Sequence, residues 1–241
     1  MDQFRHLIVR ALMAGSLAGL VLFAVQHVTI VPLIDQAEVL EAAAGHAPAA
    51  AVHAHAGTGH DHSHGDEGWQ PAPGWQRIGL TALTTVISSI GFAAILLAVV
   101  TLAGARMDIR RGILWGIAGF ACFVLAPAIG LPPKPPGAAV GDLHLRQLWW
   151  LGTVIATALG LWLALGPSRG WIQRVLGIIV LALPHLVGAP QPDGPDAVPA
   201  ALMRDFAMLS VATNLLFWIV LGCLCGLSAD RQVRQRDVLP V

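Results

Sequence analysis

The stretch "IGLTALTTVISSIGFAAILLAVVTLAG", residues 78–104, carries no charged side chain anywhere along its length. A bilayer core about 30 Å thick needs roughly 20 apolar residues in helical form, so this run can cross lipid as one helix. Five other stretches meet or approach that length, near 7–34, 112–131, 147–166, 171–189 and 206–228. Composition agrees: of 241 residues, 56% are hydrophobic and only 12% charged, a balance that suits a chain dissolved in lipid. The predicted fold class is an all-α polytopic membrane protein, a bundle of six transmembrane helices. The fifth segment is short and is interrupted by Pro184 and His185, so five helices is the alternative.

Cytoplasmic flanks of membrane helices retain Lys and Arg, and this sets the predicted orientation. With the N-terminus inside, Arg5, Arg10, Arg106, Arg110, Arg111, Arg169, Arg174, Arg231, Arg234 and Arg236 are cytoplasmic. The outer side then keeps Arg77, Lys134, Arg146 and Arg204, and acidic residues are distributed the other way. The organisation expected is a first helix at 1–34, an extracytoplasmic loop at 35–77, a helical bundle at 78–228 and a cytoplasmic tail at 229–241. Tyr is absent, so Trp must form the interfacial belts: Trp149 and Trp150 outside, Trp115, Trp162 and Trp171 inside. Arg5 and Arg10 ahead of an apolar run also resemble a signal peptide, but the run is long for one, and an uncleaved helix is the reading adopted.

The outer loop carries His46, His53, His55, His60, His62 and His64, six of the ten histidines, spaced by Ala, Gly, Ser and Pro. Nothing there has helical or strand periodicity, and a disordered segment is expected. In an extended chain, residues two apart share a side, which groups His60, His62 and His64, with His53 and His55 as a second pair and Asp61 as an oxygen donor. Neutral imidazole ligates divalent transition metals, so the loop reads as a capture element of weak, exchangeable sites. It lacks the Cys pairs, finger spacing or HExxH of a closed zinc site.

Polar residues also recur at the predicted outer ends of the helices. His27, Glu38, Glu41, His144 and His185 are candidates for a metal route inward, because ionisable groups at membrane depth are costly unless used. Pro184 is expected to free backbone carbonyls beside His185. Asn214 lies inside the last span as an interhelical hydrogen bond or an ion ligand. Thr81, Thr84, Thr85, Ser88 and Ser89 form a hydroxyl stripe expected to face other helices. Ala11, Gly15 and Gly19, and again Gly222 and Gly226, read as small-residue ridges for close packing. "ATALGLW" at 156–162 echoes "ATNLLFW" at 212–218, which implies two like-oriented hairpins, 112–166 and 171–228.

Several function classes drop out. The single lysine, Lys134, sits in "PPKPPG", so no phosphate loop exists and ATP binding by this chain is not expected. No nucleophile elbow, triad order or paired catalytic carboxylate is present, so an enzyme is not expected, nor is an organic cofactor. No basic patch interleaved with aromatics suggests nucleic acid. Cys122, Cys223 and Cys225 lie in apolar runs and read as packing residues.

The stretches "GILWGIAGFACFVLAPAIGLPPKPPG" (112–137), "DLHLRQLWWLGTVIATALGL" (142–161), "ALPHLVGAPQP" (182–192) and "SVATNLLFWIVLG" (210–222) resemble the CbtA family of predicted cobalt transporter subunits. The N-terminal "FRHLIVRALMAGSLAGLVLFAVQHVTIVPLIDQAEVLE" (4–41) and the "WQPAPGWQR" (69–77) that closes the His-rich loop fit as well. The resemblance implies an inner-membrane protein for cobalt uptake linked to cobalamin synthesis, with a small single-span CbtB subunit as partner. It also implies five spans rather than six. Cobalt is the substrate expected, with nickel or zinc as alternatives. A membrane-tethered metal buffer or sensor, and a scaffold for a conducting partner, are the other readings. Because imidazole must be deprotonated to ligate, at a pKa near 6.5, a peptide spanning residues 44–68 should bind Co(II) or Ni(II) at about pH 7.5 and release it at about pH 5.5. Titration calorimetry checks this, and equal affinity at both pH values would refute it.

Overall fold

A computed structural model describes residues 2–45, 71–72, 74–166, 169–192, 194, 196 and 198–238. The described residues contain eight α-helices and no strand: α1 Asp2–Thr29, α2 Val31–Gly45, α3 Trp75–Leu102, α4 Ile109–Phe120, α5 Ala126–Gly130, α6 Leu143–Leu165, α7 Trp171–Val187 and α8 Ala200–Val238. A single π turn, Ala121–Leu125, joins α4 to α5. The all-helical membrane fold is therefore as expected.

Among the described residues, five segments are long and apolar enough to cross a membrane: Phe4–Thr29, Trp75–Leu102, Ile109–Gly130, Leu143–Leu165 and Ala200–Ala229. α7 has 17 residues, about 25 Å of helix, and falls short by length. It nevertheless runs antiparallel to α6, from Gly177 beside Gly160 and Ala164 to Pro184 beside Trp149. Contacts of Gly15 with Ile90, and of Gly112 and Gly116 with Gly222 and Trp218, make α1–α3 and α4–α8 antiparallel too. The start of α1 meets the end of α8, where Arg10 reaches Ser228. One face of the bundle, the near end, thus holds both the start of α1 and the end of α8; the opposite face is the far end.

Expected boundaries shift at both ends of the chain: the last helix, expected near 206–228 with a tail from 229, runs from Ala200 to Val238. The first span stops at Thr29, and after Ile30 the chain starts a new helix, α2, in what had read as the beginning of a loop. Pro32 explains this: it has no N–H to continue the ladder but fits the first turn of a helix.

Four helices, α1, α3, α4 and α8, form the main body. Ala11, Ala14, Ala18, Ala93, Leu96, Leu97, Phe120, Phe217, Trp218, Leu221 and Cys225 are its buried core. The small-residue ridges pack as expected, Gly15 and Gly19 on the backbone of Ile90 and Val86, Gly222 and Gly226 on α4. Their partners Gly112 and Gly116 complete the α4–α8 seam, and a Cβ at either would overlap a carbonyl of α8. Without a hydrophobic force between helices in lipid, such close backbone approach is what holds them.

The hydroxyl stripe of α3 divides. Ser89 is buried against Gly19, as expected, but Thr81, Thr84 and Ser88 are exposed. Thr81 and Thr84 donate to the carbonyls of Arg77 and Leu80 on their own helix, so they can face lipid without an unsatisfied hydroxyl.

The α6–α7 pair joins the body through the π turn. Pro127 cannot donate to the carbonyl of Phe123, and the chain widens, Ala126 N–H donating to Ala121 instead. The widened turn places Phe123 flat on Trp218, ring centres 5.6 Å apart, and near Trp150 of α6 at 6.2 Å. Substituting Ala for Gly222 should lower the thermal midpoint of the detergent-purified chain, the overpacking costing about 1–3 kcal/mol. Ala at Gly91, where a Cβ meets nothing within 4 Å, should raise it slightly. Thermal unfolding followed by circular dichroism measures both.

Candidate functional site

The far end is where the candidate residues converge by position. α2 lies there, followed by the start of α3, the Pro-rich connection 131–142 and the connection 188–199. The two connections are tied together: Lys134 Nζ donates to Ala139 O at 2.8 Å and to Asp196 Oδ1 at 3.4 Å, and the same oxygen accepts Ala139 N–H at 2.9 Å. Gly137, in the left-handed region at φ +74°, lies so close to α2 that a Cβ there would sit 3.1 Å from the Cβ of Glu41.

Glu38 of α2 accepts a bidentate bond from Arg77 in the first turn of α3, Nη1 to Oε2 at 3.1 Å and Nη2 to Oε1. This clasp pins the two ends of the segment that carries the histidine cluster. The Arg77 hydrogen bond, aided by its charge, holds the Glu38 carboxyl below its usual range, against a smaller opposing push from burial. Nothing in the sequence pairs these residues, which lie 39 positions apart across the histidine cluster.

The other candidates are dispersed. His27 is exposed on α1 and stacks on Phe23, centres 5.6 Å apart. His144 is exposed in the first turn of α6, beside the Asp142 cap that accepts Leu145 N–H. Glu41 is exposed at the end of α2. His185 is half-buried on α7 with its ring against the edge of Trp149 at 6.1 Å, and its Nδ1 is buried with no hydrogen-bond partner. Among the described residues, no three His, Cys, Asp or Glu side chains gather where a metal could sit. His46, His53, His55, His60, Asp61, His62 and His64 lie outside the described residues.

Three local expectations are corrected. Pro184 does not break α7, which continues to Val187 and ends where Gly188, φ +83°, turns the chain and donates to Pro184 O at 3.1 Å. Proline within the last turn leaves only the Val180 carbonyl without its helical donor. Trp149 is not simply an interfacial belt residue: it packs against Gly130 and donates from Nε1 to Pro184 O at 3.3 Å. Among the described residues Asn214 makes no bond to another helix; its amide donates to Ser210 O of α8 at 2.8 Å.

A family model described as "Probable cobalt transporter subunit (CbtA)" matches residues 4–230. The chain belongs to the CbtA family. Neither a curated protein nor a solved structure matches it. CbtA membership makes this a membrane protein of a cobalt transporter family, a subunit by description, and five long apolar helices agree with a multi-pass chain.

At the near end of this CbtA chain one cation works structurally. Arg10 donates from Nε to Ser228 Oγ at 2.9 Å and from Nη2 to Cys225 O at 3.2 Å, fastening α1 to α8. Sequence reasoning placed Arg10 only as a topology marker. At the far end, Glu38→Gln should weaken the α2–α3 clasp by under about 1 kcal/mol, because both partners are partly exposed. A carboxyl whose folded pKa is lowered stabilises above its unfolded pKa and loses this as pH falls through the folded one. The difference between wild type and Glu38→Gln should therefore be full at pH 7 and fade below about pH 4.3, as thermal midpoints across pH would show.

Proposed function

We propose that this chain is the membrane-embedded subunit of a cobalt uptake transporter, gathering Co(II) on its histidine-rich segment and passing it inward. The observation that carries this reading is the CbtA match across residues 4–230, joined to the geometry of the far end. Both described ends of the histidine segment, α2 and α3, lie on that face and are clasped by Glu38 and Arg77. Glu41, His144 and His185 belong to the same end, and weak ligands there suit release and re-ligation. In this reading the far end is extracytoplasmic, supported by the concentration of arginines at the near end. The chain resides in the inner membrane, takes cobalt in preference to nickel or zinc, and works beside a single-span CbtB-type subunit in supply of cobalamin synthesis. Energy comes from a gradient or a partner, since this chain has no ATP-binding loop.

A second reading is favoured by one observation. The described residues bring no three metal ligands together, and the charged side chain fastening α1 to α8 is a cation, Arg10. A chain of that kind gathers metal while a partner subunit conducts it.

Uptake of radiolabelled Co(II) tests both readings. Cells carrying the chain and its partner should accumulate cobalt, and deleting residues 46–68 should raise the concentration for half-maximal uptake with little loss of maximal rate. His185→Ala should lower the maximal rate. Uptake indifferent to loss of the gene sinks the transport reading; vesicles holding the purified chain alone separate conduction by this subunit from conduction by its partner.

A further inference from the structure

We propose that the seam between α6 and α7 binds one phospholipid of the far-end leaflet, an acyl chain lying in the groove and the phosphate at Arg146. The groove has a volume of 280 Å³ and is lined by Trp149, Gly152, Thr153, Ala156, Val180, Leu183, Pro184 and Val187. Its walls are almost wholly hydrocarbon, and the indole N–H that borders it is already bonded to Pro184 O. Gly152, Leu183 and Val187 are exposed, so the groove opens on the outer surface of the helix pair, which at this depth meets lipid. A Cβ at Gly152 would meet nothing within 4 Å; the missing side chain is what leaves the α6 wall recessed. The volume lies at the lower edge of the roughly 300–1,000 Å³ typical of pockets for drug-sized organic molecules.

Charge decides what kind of chain. Arg146, Trp149, Thr153 and Ala156 stand at positions i, i+3, i+7 and i+10 of α6, hence on one face, with Arg146 one turn outward of the groove. Helical side chains lean toward the N-terminus, which for α6 is the far end, so the guanidinium reaches toward the headgroup layer. Among the described residues Arg146 has no side-chain hydrogen bond or ion pair; its nearest acidic neighbour on α6, Asp142, spends a carboxylate oxygen on Leu145 N–H. A cation above a hydrocarbon groove complements a phosphate above an acyl chain, and guanidinium binds phosphate through charge-assisted bonds. The occupied groove would also brace Trp149, and through it the last turn of α7 where His185 sits.

The full chain, purified in mild detergent, is reconstituted with phosphatidylglycerol bearing a diazirine in one acyl chain, illuminated, and its crosslinked peptides mapped. Crosslinks should concentrate on residues 152–156 and 180–187. Gly152→Trp, which fills the groove, should remove them, and Arg146→Gln should reduce them about fivefold. Labelling spread evenly over the lipid-facing surfaces and unchanged in both variants would overturn the proposal. So would a groove left unlabelled while the other lipid-facing surfaces are labelled, which would make it a docking site for another helix. Arg146→Gln removes no side-chain hydrogen bond or ion pair to a described residue, so the test holds even where Gly152→Trp fails to fold.

Discussion

Backbone contact between α4 and α8 is the constraint on which the rest of this bundle hangs. Gly112 and Gly116 meet Gly222 and the carbonyl of Trp218 with no room for a Cβ on either side. Lipid tails are as apolar as leucine, so burying hydrocarbon does little to hold two helices together; dispersion between closely apposed backbones does. With that seam closed, Trp218 is driven against Gly119 and becomes the floor of an aromatic cluster with Phe92, Phe123 and Phe217. The antiparallel direction of α8 follows from the same seam, and with it the meeting of α1's start and α8's end at one face.

From the cluster the packing extends outward through the π turn. Pro127 forces an extra residue into the helix, and that residue's worth of rotation points Phe123 at both Trp218 and Trp150. A straight α-helix there would not present one ring to the body and to α6 at once. The α6–α7 pair is thus attached at its far-end half, where Trp149 seats on Gly130, while its partner contact, Gly160 on Gly177, is internal to the pair. The far end is in turn closed by the Lys134–Asp196 tie and by α2 lying on the Pro-rich connection. The acidic candidates Glu38 and Glu41 lie on that face, and glycine-mediated packing makes up the depth of the body.

That division has a functional sense. A transition metal needs ligands that can let go, and the proposed transport role draws on the imidazoles and carboxylates that stand at the far end, Glu41 and His144 exposed and His185 half-buried. The body holds α1, α3, α4 and α8 in fixed relation through its glycine seams, and the α6–α7 pair is fastened to it by Phe123 and Trp149. Belonging to a family of transporter subunits agrees with a chain whose machinery is shared with another.

The sequence by itself determined the solvent, the class of fold, and most of the helices, because apolar run length is a one-dimensional property that lipid reads directly. It also marked the small-residue ridges at Gly15, Gly19, Gly222 and Gly226, since spacing of four is visible in a string. Tertiary structure alone decided which ridge meets which, that Glu38 is held by Arg77, that Arg10 fastens α1 to α8, and that Trp149 turns into a helix seam. Each of these joins residues far apart in the chain whose pairing depends on helix order and rotation about the axis. Neither quantity is encoded in hydropathy, and both emerge only when the backbones are close enough for shape to choose the partner.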